Sequence, residues 1–292
     1  MKLLTYSENG IEKVGVLTQD QAHVVSIEEA GLSYKTMNAF IQNITIEEKQ
    51  VLENYIKENK GILKDAIQIQ APIPHPQQDI ICLGINYMAH AVESARYKEE
   101  AFGGERPYAV YFSKRVNRAG ADGSIIPAYE NLVDSLDYEV ELAVIIGKDA
   151  KNVRQEDAFE YVFGYTIIND VSARNLQTRH KQWYFGKSLD GFLPMGPYIV
   201  TEDCFTRPPV LSICSRVNGE LRQNATTDLL IFGISHVISE LSQGMTLKAG
   251  TIIAMGTPAG VGMGMQPPQF LKSGDEITCE IEGIGSLTNY VR

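Results

Sequence analysis

Chemistry concentrates first in the segment Asp137-Tyr-Glu139-Val-Glu141-Leu-Ala143-Val-Ile145-Ile-Gly147. Side chains alternate along a strand, so Asp137, Glu139 and Glu141 share one face, which then turns apolar at Ala143 and Ile145. A solvated face rarely switches from acid to apolar halfway along. The spacing therefore predicts a strand buried at one end and open to a polar cavity at the other. Carboxylates at i and i+2 lie about 7 Å apart and repel unless a cation sits between them. Hard divalent cations with oxygen ligands suit that arrangement. A third carboxylate, Asp170, ends the apolar run Val162 to Ile168 and its following Asn169. An amphipathic strand with a solvated acidic end, and an Asp that merely caps a turn, are the plainer readings of the same residues.

A second group is His90-Ala-Val-Glu93, on a stretch that turns from strand to helix after Gly84. Residues three apart on a helix face the same way, so Glu93 can orient the imidazole and raise its basicity. Such a pair exchanges protons near neutral pH, and as an isolated surface contact it is worth only a few tenths of a kcal/mol. Gly186-Lys187-Ser188 looks like the end of a phosphate loop, but that motif needs glycine at position 181, which is Lys. Lys187 is left as a point cation for a carboxylate or enolate, or as a solvated loop lysine. Gly256-Thr257-Pro258-Ala259-Gly260-Val261-Gly262 reads as a turn presenting backbone N–H groups, without the spacing of a dinucleotide site.

The elements that must position these groups follow from periodicity and punctuation. Lys2 to Tyr6 and Val14 to Leu17 read as strands around the turn-forming Glu8-Asn9-Gly10, and Ile46 to Glu58 as a helix. Residues 71–78, APIPHPQQ, are a stiff connector that separates a small N-terminal α+β domain, 1–72, from a large one, 73–292. In the large domain, strands at Ile80 to Leu83, Val140 to Ile146, Val162 to Ile168, Tyr198 to Val200, Thr251 to Ala254 and Glu276 to Ile281 outnumber helices. The helical patterns are Tyr87 to Glu100, Glu156 to Tyr161 and Ile231 to Gln243. Strict βα alternation is missing, so a mixed, β-rich α+β roll or barrel is expected. The segment around Tyr87 to Gly104, with its charged, glycine-bearing tail 99–104, reads as a lid that is mobile without ligand and closes over the substrate.

Composition narrows the function. With 44% hydrophobic and 21% charged residues in 292, the chain carries an ordinary globular core. A formal net charge of -10 argues against nucleic acid, which needs a basic stripe. No window approaches the ~20 apolar residues of a spanning helix, so no membrane partner is expected. Cys82, Cys204, Cys214 and Cys279 are scattered without a CxxC pair; buried free thiols in a reducing cytoplasm are the expectation.

Taken in order, GINYMAHAVE (84–93), LDYEVELAVIIGK (136–148), GYTIINDVSAR (164–174), LQTRHKQWYFGKSLDGFLPMGP (176–197), VNGELRQ (217–223), GTPAGVG (256–262) and FLKSGDEITCEIEGIGSL (270–287) resemble the fumarylacetoacetate hydrolase family. The resemblance implies a β-roll or barrel catalytic domain, a homodimer, and one Mg²⁺ or Mn²⁺ per chain held by Glu139, Glu141 and Asp170. It implies an acid–base dyad of His90 and Glu93, with Lys187 as a further catalytic residue. It places Gln177 and Thr257 against substrate, with Gly256 supporting Thr257, and leaves Arg174 between a structural and a substrate-binding role. Asn175, where the family commonly has Asp, and Gly250-Thr251, where it has Gly-Asp, depart from its pattern at positions that are not metal ligands, and the less typical stretch Arg115 to Gly120 bears on substrate choice. The implied substrate is a small anionic 2-oxo acid. The expected reaction is C–C cleavage of an acylpyruvate or decarboxylation of oxaloacetate through a metal-stabilised enolate. Tautomerisation or isomerisation of a hydroxymuconate-type diacid is the second reading, and a non-catalytic metal-binding protein the third.

Overall fold

The computed structural model describes residues 1–97, 104 and 107–292. The first residues build a meander, β1 (Lys2–Glu8), β2 (Ile11–Leu17) and β3 (His23–Ser26). Asn9 and Gly10 connect β1 to β2 with φ of 52° and 79°. Two consecutive positive φ values are what a two-residue type I′ hairpin requires, and they pair Glu8 with Ile11. Helices α1 (Met37–Asn43) and α2 (Ile46–Glu58) follow, the second started by a capping box between Thr45 and Glu48. Short strands β4 (Ile62–Leu63) and β5 (Gln68–Ile69) lead into the proline-rich connector.

Beyond it lie β6 (Ile80–Gly84), α3 (Met88–Tyr97), β7 (Val110–Lys114), β8 (Ile125–Ile126), β9 (Leu136–Asp137), β10 (Val140–Ile146) and β11 (Val162–Asn169). Then come β12 (Ser172–Ala173), α4 (Arg174–Arg179), α5 (Tyr184–Lys187), β13 (Met195–Thr201), β14 (Ser212–Val217) and β15 (Glu220–Thr226). The chain finishes with α6 (Ile234–Gly244), β16 (Ile252–Ala254), β17 (Glu276–Ile281) and β18 (Gly285–Val291).

One sheet of eleven strands runs β4-β3-β2-β1-β13-β11-β10-β16-β6-β7, with β5 also on β1. Because β1 pairs with β13, the N-terminal strands extend the same sheet that carries β10 and β11. A second sheet, β15-β14-β17-β18-β8, packs over it, and Leu142, Val144, Ile167, Ile213, Ile277 and Leu287 meet in the core between them. Strand β10 is buried along its whole length, which is why both of its faces read as apolar after Glu141.

The β-rich α+β class matches the expectation, and the sheets form a roll without closing into a barrel. The single strand expected over 137–147 is interrupted: β9 ends at Asp137 and β10 begins at Val140, because Asp137 pairs with Ser172 while Val140 pairs with Asn169. Residues Gln155–Tyr161 wind as a 3₁₀-helix rather than an α-helix. The expected end of the helix at Glu100 and residues 98–103 of the expected lid, 87–104, lie outside the described residues. Of the four thiols, Cys82 and Cys279 are buried and Cys214 is partly so; Cys204 is exposed, contrary to the expectation of buried thiols throughout.

Candidate active site

Strands β10 and β11 run antiparallel, and their paired ends bring Glu139, Glu141 and Asp170 together. Each of the three offers an oxygen within 4.8 Å of the others, and all three are buried. Hydrogen bonds fix the junction: Asp170 N–H donates to Glu139 O at 2.8 Å, and Glu139 N–H to Asn169 Oδ1 at 3.0 Å.

Cations surround the carboxylates. Lys187 Nζ donates to Glu139 Oε2 and to Asp170 Oδ2, both at 2.6 Å. Arg174 places Nη1 2.6 Å from Glu139 Oε1 and donates Nε to Asp137 Oδ2 at 2.9 Å. Lys114, at the end of β7, donates to Asp170 Oδ1 at 2.5 Å and to Val171 O at 2.9 Å. Burial opposes the charged form of Lys187, but Asp170 and Glu139 outweigh it and hold its ammonium above the usual lysine range. Burial likewise pushes Glu139 upward, and Lys187 and Arg174 reverse that, leaving it below the ordinary carboxylate range. Glu141 goes the other way: burial, then Asp170 and Glu139, raise it well above normal. Gly256 N–H donates to its Oε2 at 2.8 Å. Three cations thus face three carboxylates, but their ion pairs fall on Glu139 and Asp170 and leave Glu141 to a backbone N–H. Three converging hard oxygen donors with one carboxylate disfavoured as an anion fit a divalent cation.

On the other side of the cavity, His90 Nδ1 lies 3.0 Å from Glu93 Oε2, both side chains buried. Gly260 N–H holds Glu93 Oε1 at 3.1 Å, so the loop after β16 orients the helix pair. Gly264 is equally necessary, since a Cβ there would meet Glu93 at 1.9 Å. Thus the His90–Glu93 contact is not a surface pair. The cavity wall also includes Ile85, Phe112, Gln177, Trp183, Thr257 and Met263, along with Glu139, Glu141, Arg174 and Lys187. Ile85 sits at φ 56°, an outlier for a β-branched residue and the sort of strain that gathers at functional sites.

Of the nine residues given a site role by the resemblance, His90, Glu139, Glu141, Gln177, Lys187 and Thr257 line this cavity, and Glu93, Asp170 and Gly256 bond to residues that do. Gln177 lines it and accepts from Arg174 Nη1 at 3.1 Å. Thr257 lines it with its hydroxyl donated to Val140 O at 2.9 Å, while Gly256 stands behind, on Glu141. Asp137, on the acidic face in sequence, does not join the cluster. Its oxygens accept the N–H groups of Tyr138, Gly262 and Met263, which makes it a fixed anchor of the 256–264 loop. Lys114 and Gln223 are not singled out in the sequence: one ends β7, and the other, though inside the resembling segment VNGELRQ, lies on hairpin strand β15 without a role attached.

With that geometry established, comparisons with known proteins become specific. Residues 79–292 match the family model described as fumarylacetoacetate (FAA) hydrolase C-terminal. The oxaloacetate tautomerase YisK of Bacillus subtilis is 48% identical over 225 residues, 77% of this chain and 73% of that protein. The solved fumarylacetoacetate hydrolase of Exiguobacterium antarcticum superposes with a TM-score of 0.85 at 38% identity, covering 100% of this chain and 99% of that one. A maleylpyruvate hydrolase from Sphingobium, solved with manganese(II) and pyruvate, gives a TM-score of 0.79 at 28% identity, covering 100% and 98%.

Proposed function

The chain is an enzyme of the fumarylacetoacetate hydrolase family, and from that premise we propose that it interconverts the enol and keto forms of a small 2-oxo diacid such as oxaloacetate. The observation that carries the reading is one buried cavity that joins the carboxylates Glu139, Glu141 and Asp170 to the His90–Glu93 pair. A divalent cation on the three carboxylates, Mg²⁺ or Mn²⁺ and one per chain, would supply Lewis acidity toward the 2-oxo acid.

The protein's own groups supply the rest. Arg174 keeps Nη2 buried and without a protein partner among the described residues, a donor suited to a substrate carboxylate. Lys187 adds a second cation on the same wall. His90 has Nδ1 engaged by Glu93, so Nε2 is the nitrogen that takes a proton from carbon or returns it to oxygen. Tautomerisation needs only that proton relay and a stabilised enolate. Tautomerisation stood second in the sequence and for a hydroxymuconate-type diacid; it moves ahead of cleavage, with oxaloacetate as the substrate, because a relative at 48% identity is an oxaloacetate tautomerase.

Hydrolytic cleavage of an acylpyruvate is the other reading, favoured by the same dyad positioned as a base for water. In this reading residues 73–292 are the catalytic domain and carry every group in either scheme, while the small N-terminal domain, 1–72, adds strands to the same sheet and no group to the chemistry. The working form in this reading is a cytoplasmic homodimer.

The test is to follow decay of enol-oxaloacetate and pyruvate release from acylpyruvates, with Mn²⁺ and after EDTA. Metal-dependent enol-to-keto conversion without pyruvate release supports the proposal. Pyruvate release from an acylpyruvate at comparable efficiency would favour cleavage, and inactivity in both assays would sink both.

A further inference from the structure

The sheet edge beside the three carboxylates is completed by side chains rather than by a strand. Strand β16 stops at Ala254, and the last backbone bond on that edge of β10 is Met255 N–H to Leu142 O at 3.0 Å. Val140, the residue between Glu139 and Glu141, still has both backbone groups satisfied. Its N–H donates to Gln223 Oε1 at 3.1 Å, and its carbonyl accepts the Thr257 hydroxyl at 2.9 Å. The two side chains also bond each other: Gln223 Nε2 donates to Thr257 Oγ1 and to Pro258 O, each at 2.7 Å. Ser215 Oγ completes the set by donating to Gln223 Oε1 at 2.9 Å.

Gln223 is fully buried, so its amide has no water to fall back on, and both donors and its acceptor are engaged. The close approach of β15 to the loop depends on Gly260, where a Cβ would stand 1.9 Å from Arg222 O. A displacement of Val140 carries Glu139 and Glu141 with it, because they are its chain neighbours.

We propose that Gln223 is a positioning residue that acts through Val140 and Thr257, setting the separation of Glu139 and Glu141 and the orientation of the Thr257 loop. With its proton given to Val140 O, the Thr257 hydroxyl has none to offer a substrate. The second sheet thereby governs a site whose carboxylates lie on or next to strands of the first. This inference rests on reading the three carboxylates as metal ligands.

The experiment compares Gln223→Leu with wild type by calorimetric Mn²⁺ titration, steady-state kinetics and thermal melting. Outer residues that orient metal ligands are worth about 10- to 100-fold in metal affinity, so Mn²⁺ should bind at least about tenfold more weakly, with a fall in kcat. Asn289→Ala removes another buried amide, bonded to Ala121 and Ser124 away from the site. It should lower the melting temperature and leave Mn²⁺ affinity alone. Thr257→Val should reproduce part of the Gln223→Leu loss, Thr257→Ser should lose less, and the double variant should be less than additive. Unchanged Mn²⁺ affinity and kcat in Gln223→Leu would overturn the proposal, whatever its melting temperature. If that variant does not fold, unchanged affinity in Thr257→Val overturns it. Wild-type protein that binds no Mn²⁺ would overturn the metal reading, and this inference with it.

Discussion

Lys114, fully buried at the end of β7, holds Oδ1 of Asp170 at 2.5 Å. Lys187 holds the other oxygen of the same carboxylate, so Asp170 is gripped from two sides. The two lysines differ in surroundings. Lys187 lines the cavity, whereas Lys114 also bonds Val171 O behind it. Lys114 therefore belongs to the frame of the site and Lys187 to its working face.

The frame role predicts a large stability effect for Lys114→Met. Removing one partner of a buried ion pair leaves an uncompensated charge and costs about 3–5 kcal/mol. Retention of Lys187 on Asp170 puts the expectation at the lower end of that range. Urea unfolding checks it, and a loss under about 1 kcal/mol, the worth of an exposed pair, would mean that Lys114 contributes little.

His90→Ala should lower turnover by about 10²- to 10⁴-fold, the usual worth of a positioned general acid–base, while Mn²⁺ affinity stays near wild type. Glu93→Gln should show part of that defect, since it keeps the geometry and weakens the imidazole's orientation. Full activity in His90→Ala, measured in the enol-oxaloacetate assay, would remove the dyad from the mechanism.

Gly264→Ala tests the support behind that dyad. The added methyl would fall 1.9 Å from Glu93, so Glu93 must move and His90 loses its partner. Overpacking of this kind costs about 1–3 kcal/mol. A kcat that drops toward the Glu93→Gln value, at unchanged metal affinity, is expected. A variant with wild-type kcat would show that Glu93 can shift without consequence.

Thiol chemistry should sort the cysteines by burial. Burial raises the pKa of Cys279 and, reinforced by Asp170 and Glu141, that of Cys82. The thiolate is the reactive form, so raising pH toward 8 should leave both unlabelled by iodoacetamide in the folded protein. Cys204, exposed, should label first. Mass spectrometry locates the adducts, and native labelling of Cys279 would contradict the packing of the second sheet.

Much of the site was legible because it depends on short-range spacing. Glu139 and Glu141 at i and i+2, Asp170 at the end of an apolar strand, and His90 with Glu93 at i and i+3 are local patterns; Glu139, Glu141 and His90 line the cavity, with Asp170 and Glu93 directly against them. The Asn9-Gly10 turn and helix Ile46–Glu58 were readable for the same reason: backbone geometry and capping act over two to four residues. Periodicity also assigned the β-rich class.

Tertiary structure decided what stands opposite each group. Period-two alternation put Asp137 on the acidic face, but contacts with Arg174, Gly262 and Met263 took it out of the cluster. A lysine ending a half-polar strand reads as solvated, yet Lys114 meets Asp170 from 56 positions away. Gln223 reaches Val140 across 83 positions, from a different sheet. A single chain's pattern records which side of a strand is buried. Whether a buried charge is paired, and by which partner, depends on the distant elements folding brings against it.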